Sequence, residues 1–177
     1  GVSSPAGVFL DRVGHYTAEG LIGLALGVRA SGYLAGREHN LAEVWMYLAF
    51  GAVLMAGILL NKALNDMVHV ARAFAGLDKL ADTKAAKAVP STSLVGRARR
   101  VARFAPFHRM FHSIEMTLLT LLVAMIGLFT NQLLASRWQV IVMTVAILLV
   151  LPGHLLAILA SPRLRAPAPV PAEDPRD

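Results

Sequence analysis

WQVIVMTVAILLVLPGHLLAILA, residues 138–160, contains no Asp, Glu, Lys or Arg. A run of about 20 predominantly apolar residues is long enough for a helix to cross a bilayer. Backbone N–H and C=O groups have no water to bond in the bilayer core, so such a run satisfies them internally as a helix. Strands of a membrane barrel would alternate apolar and polar residues, and this run does not.

Three further stretches read the same way. Residues 113–134 are SIEMTLLTLLVAMIGLFTNQLL and residues 41–62 are LAEVWMYLAFGAVLMAGILLNK. Residues 16–35, YTAEGLIGLALGVRASGYLA, form a more polar span that contains Glu19 and Arg29. The whole chain agrees: it has 177 residues, 56% hydrophobic and 16% charged. Its mean hydropathy is +0.58. A soluble domain carries roughly 25% charged residues. The expected fold is all-α, a polytopic membrane four-helix bundle occupying residues 1–161, followed by a Pro-rich, disordered tail at 162–177.

Charge placement sets the expected orientation. Arg37 is the only Lys or Arg between the first two spans, and Arg137 the only one between the last two. The segment between spans two and three carries Lys62, Arg72, Lys79, Lys84, Lys87, Arg97, Arg99, Arg100, Arg103 and Arg109, and the tail adds Arg163, Arg165 and Arg176. Basic residues stay on the cytoplasmic side. The loop at 63–112 and both termini are therefore expected there, in a bacterial inner membrane. Residues 63–88 are rich in helix formers and can extend the second helix before Pro90 breaks it. Residues 94–105, LVGRARRVARFA, place Leu94, Ala98, Val101 and Ala105 at helical spacing, with arginines filling the rest. This is the pattern of an amphipathic helix on an anionic inner leaflet, where each basic residue contributes about 1 kcal/mol. A basic patch alone is weak ground for nucleic-acid binding, and no nucleic-acid partner is expected.

Two features point to helix packing. Gly20, Gly23, Gly27 and Ser31 lie on span one, the last three at four-residue steps, and small residues let helix backbones approach closely in lipid. The contact can be made within the chain or with a partner subunit. Pro152 removes a hydrogen bond from span four and is expected to kink it near Leu148.

Polar residues gather near the cytoplasmic ends of the spans. The pairs His15/Glu19, Asp66/His69 and His112/Glu115 are three or four apart and so share a helix face. His108 precedes span three, and His154 lies about 9 Å inside the end of span four. One possibility is a haem b held by His112 and His154. Another is a metal ion bound by Asp66, His69, His112, Glu115 and His154, since di-metal bundles use Glu-x-x-His spacing from facing helices. A third is an ion path through Glu19, Glu115 and Arg29 in an oligomeric channel or transporter. The simpler account is that polar side chains collect at the headgroup boundary, with Glu19 paired to a basic residue of the loop. Ionisable groups in the apolar region are costly and mark sites to test.

Several activities find no residues to support them. The chain has no cysteine, which removes disulfides and thiolate metal sites. It has no Gly-x-Ser-x-Gly elbow, no P-loop and no dinucleotide-binding glycine fingerprint. The expected function is that of a non-catalytic accessory or anchoring subunit. It would pack against other membrane subunits or against itself.

Overall fold

The computed structural model describes residues 4–35, 40–78 and 109–165. Among these residues the chain is all-helical, with four α-helices and no strand. Helix α1 spans Pro5–Ser31, α2 Leu41–Phe74, α3 Ser113–Phe129 and α4 Gln132–Ala160. Three-residue 3-10 turns at Tyr33–Ala35, Arg109–Phe111 and Pro162–Leu164 flank them.

Local chemistry sets these bounds, and they differ from those read off hydropathy. Helix α1 begins at Pro5 rather than at residue 16, because the Ser4 hydroxyl caps Gly7 N–H at 3.1 Å and Pro5 occupies a first-turn position where no N–H is needed. It ends at Ser31 because Gly32 takes a left-handed conformation, φ 73°. Helix α2 does extend past the apolar stretch, as far as Phe74. The expected third span of 113–134 is cut at Phe129. Asn131 caps a new helix there, its Oδ1 accepting from Leu134 N–H at 3.0 Å. Residues 132–137 therefore belong to α4, and the connection is only Thr130 and Asn131. Helix α4 runs unbroken through Pro152. Residues 162–165, assigned by composition to the tail, include a 3-10 turn. The basic segment with Arg97, Arg99, Arg100, Arg103 and His108 lies outside the described residues.

The helices alternate in direction. Helices α1 and α2 are antiparallel, with Gly27 against Gly51, Gly23 against Met55 and Gly20 against Leu59. Helices α2 and α4 run parallel, bonded at Glu43/Arg137, Phe50/Thr144 and Asn61/His154. The start of α1 and the end of α4 thus lie at one end of the bundle, and the short connections lie at the other. Helix α4 packs against each of the other three. The core gathers Leu26, Tyr47, Leu54, Ile58, Met116, Val140, Met143 and Ile147, with Phe111 tucked beneath it. Helix α3 contributes little to it, burying only Met116 and Gly127.

Backbone contact between α1 and α2 is close enough to exclude side chains. A Cβ on Gly27 would stand 2.5 Å from Gly51 Cα and 2.7 Å from Tyr47 O. On α2, Gly57 makes room for Ile147, whose Cγ1 would be 2.7 Å from an added Cβ.

Two helices, α2 and α4, are long and apolar enough to cross a membrane. Helix α3 is apolar but has 17 residues.

Candidate functional site

Among the described residues, several polar contacts lie at the end of the bundle that carries the start of α1 and the end of α4. Along α1, Arg12, Tyr16 and Glu19 continue the stripe that carries Gly23 and Gly27, because spacings of three and four keep residues on one helix face. This stripe faces α2. Arg12 pairs with Asp66, and the Tyr16 hydroxyl donates to Asp66 Oδ2 at 2.6 Å. One turn further in, Lys62 Nζ lies 2.8 Å from Glu19 Oε2 and 3.1 Å from its Oε1. The backbone N–H of Ser113 donates to Glu19 Oε1 at 3.3 Å.

Glu19 is 2% exposed, and burying a charged group is costly unless it is paired. It joins α1 to α2 through Lys62 and to α3 through the first residue of that helix. A carboxylate is also favoured at a helix N-terminus by the positive end of the dipole. Glu115, in the first turn of α3, sits where that same field favours it.

The five candidate ligands do not converge. Asp66 is taken by Arg12 and Tyr16. His69 is exposed on the α2 extension. His112 is the N-cap residue of α3 and is exposed, with its side chain making no capping bond. His154 Nδ1 lies within hydrogen-bond distance of Asn61 Oδ1, at 2.7 Å. Among the described residues, no three His, Asp or Glu stand close enough together to hold a metal ion.

Two arginines that the sequence offered only as charges for orientation organise the ends of the bundle. Arg72 is buried. Its Nε and Nη2 both donate to Asp78 O, at 3.0 and 2.8 Å, and its Nη1 donates to Arg163 O at 2.9 Å. It thereby fastens the chain after α4 to the end of α2. At the opposite end, Arg137 donates to Glu43 Oε2 at 2.6 Å and to Ala30 O at 3.3 Å, and its guanidinium lies 4.6 Å from the Tyr47 ring centre. Arg137 belongs to α4 and not to a loop. Arg29, in the last turn of α1, donates to Gln132 Oε1 at 3.0 Å. Inside the bundle, Gln139 Nε2 donates to Thr120 Oγ1 at 2.8 Å, linking α3 to α4.

No family model matches the chain, and neither curated proteins nor solved structures give a match.

Proposed function

We propose that the protein is a four-span integral membrane subunit without catalysis of its own, which anchors to or stabilises a larger membrane assembly or a homo-oligomer. The observation that carries this reading is the poor burial of its most apolar helices. The most apolar windows of α2 and α4 are only 33% and 22% buried within the chain. The core helix of a soluble protein passes the same length and composition test but is mostly buried. Here Leu118, Leu121, Leu122, Met125 and Ile126 of α3 are also exposed, as are Val142, Val145, Leu148 and Leu149 of α4. Soluble monomers rarely leave contiguous apolar patches of more than a few hundred Å2 uncovered, whereas lipid is a suitable solvent for them.

The charges support an orientation. Arg12, Lys62, Arg72 and Arg163 occupy the end that carries both described chain ends, which the positive-inside rule assigns to the cytoplasm. Helix α1 crosses as the polar member of the bundle. Its buried carboxylate is paired, and its small residues are occupied by α2 of the same chain. Gly23 and Gly27 therefore serve internal packing in this reading, and assembly uses other surfaces.

Mild solubilisation followed by native mass measurement tests the proposal. A stable oligomer, or co-purification with a larger membrane complex, is the expected result. A detergent-dependent but strictly monomeric and solitary chain would exclude the subunit role. A monodisperse chain in buffer without detergent would exclude the membrane itself.

A further inference from the structure

Helix α3 leans on α4 and leaves a gap against α1. At the end with the short connections, this gap widens into a groove of about 950 Å3. One wall is apolar, formed by Leu21, Leu24, Ala25 and Val28 of α1. Gly127 and Leu133 stand across from it. A smaller groove of about 410 Å3 continues between α1 and α3, and Arg29 and Ala25 line both.

Arg29 differs from its neighbour Arg137. Arg137 has a carboxylate, a carbonyl and an aromatic face around it. Arg29 is half-buried on the wall of a largely apolar groove, and its guanidinium donates to the neutral amide of Gln132. A guanidinium offers five N–H donors in a planar fork suited to phosphate or carboxylate. No carboxylate among the described residues pairs with Arg29; a cation bordering hydrocarbon without a counter-ion is costly, so charge complementarity calls for an anion at this position. The apolar wall calls for a hydrocarbon chain below it. Leu21 lies about 12 Å deeper than Arg29 at 1.5 Å per residue, which is the placement of an acyl chain beneath its headgroup.

A groove of about 950 Å3 falls in the range of roughly 300–1,000 Å3 that encloses most of a small ligand. We propose that the α1/α3 groove holds one anionic phospholipid, its phosphate on Arg29 and one acyl chain along Leu21, Leu24, Ala25 and Val28. This rests on the membrane reading above.

The test uses the full chain purified in detergent, titrated with phosphatidylglycerol and with phosphatidylcholine of matched acyl chains, and read by native mass spectrometry. The wild type is expected to retain one phosphatidylglycerol at least tenfold more tightly than phosphatidylcholine. Arg29→Gln should bring the two lipids within about twofold of each other, and Arg29→Lys should keep part of the preference. Ala25→Phe, which fills the groove from an exposed position and leaves the charge in place, should lower occupancy by both lipids at least fivefold. Melting temperatures close to wild type establish that each variant is folded.

Undiminished phosphatidylglycerol preference in Arg29→Gln, or unchanged occupancy in Ala25→Phe, overturns the lipid site and leaves the membrane reading standing. Loss of a co-purifying membrane protein from Arg29→Gln, with lipid occupancy unchanged, also overturns it, in favour of a partner's carboxylate. A chain that is monodisperse without detergent overturns both readings together.

Discussion

Gly27 and Gly51 show why single atoms matter in this bundle. Each would drive an added methyl into the other's Cα, at 2.5 and 2.7 Å, and backbone cannot step aside as a side chain can. Gly27→Ala is therefore expected to lower stability by about 1–3 kcal/mol or more, the range for overpacked sites. Gly14→Ala, with nothing within 4 Å of the added carbon, should be neutral or stabilise by up to about 1 kcal/mol through helix propensity. Thermal unfolding of both variants in the same detergent checks the contrast, and equal melting temperatures would contradict it. The Glu19–Lys62 pair gives a second test. Removing one partner of a buried pair costs about 3–5 kcal/mol because the other charge is left uncompensated. Glu19→Leu or Lys62→Met alone should be much worse than the double variant, and additive losses across this double-mutant cycle would show that the pair is not coupled. The sequence displayed Glu19 as a costly charge and the Gly23/Gly27 stripe as a packing face. It did not display Gly51 or Lys62 as their counterparts, because those lie on another helix and only the α1/α2 register brings them opposite.

At the scale of elements, α1 is one continuous face. Arg12, Tyr16, Glu19, Gly23 and Gly27 lie along a single stripe, polar at its start and small further on, and α2 answers it with Asp66, Lys62 and Gly51. Hydropathy located the helix from residue 16 onward and missed its first turns, since Asp11 and Arg12 depress any apolar average. The Ser4-Pro5 capping signal was the available clue. The Thr130-Asn131 break was likewise legible as an N-cap, although apolar residues on both sides hid it. Arg72 is the element-level device that the sequence offered only as one charge among many. Hydrogen bonds to charged groups contribute about 1.5–3 kcal/mol net, and Arg72→Met deletes those to Asp78 O and Arg163 O. Hydrogen exchange at Ser161–Arg165 should then accelerate at least tenfold while the α4 interior stays protected. Unchanged exchange at those amides would mean that the turn is held by something else.

The whole molecule is an up-and-down bundle whose apolar surface faces outward on α3 and α4, and the membrane reading proposed for it makes a topological prediction. The chain has no cysteine, so single thiols report position without background. Tyr33→Cys, at the short-connection end, should react with a membrane-impermeant maleimide in intact cells. Ser91→Cys, in the basic segment, should react only after permeabilisation. Labelling in the opposite order would invert the bundle and remove the basis for placing the arginines on the inner side. What the sequence determined by itself was the helical class and the approximate positions of the apolar helices, because backbone satisfaction, hydropathy and capping are local properties of the chain. Only the tertiary structure decided that Glu19 meets Lys62 and that Asp66 meets Arg12 and Tyr16, that the glycine stripe meets Gly51 of the same chain, and that Arg29 lines an open groove. Those outcomes depend on helix register and rotation, which are set by side chains far apart in sequence.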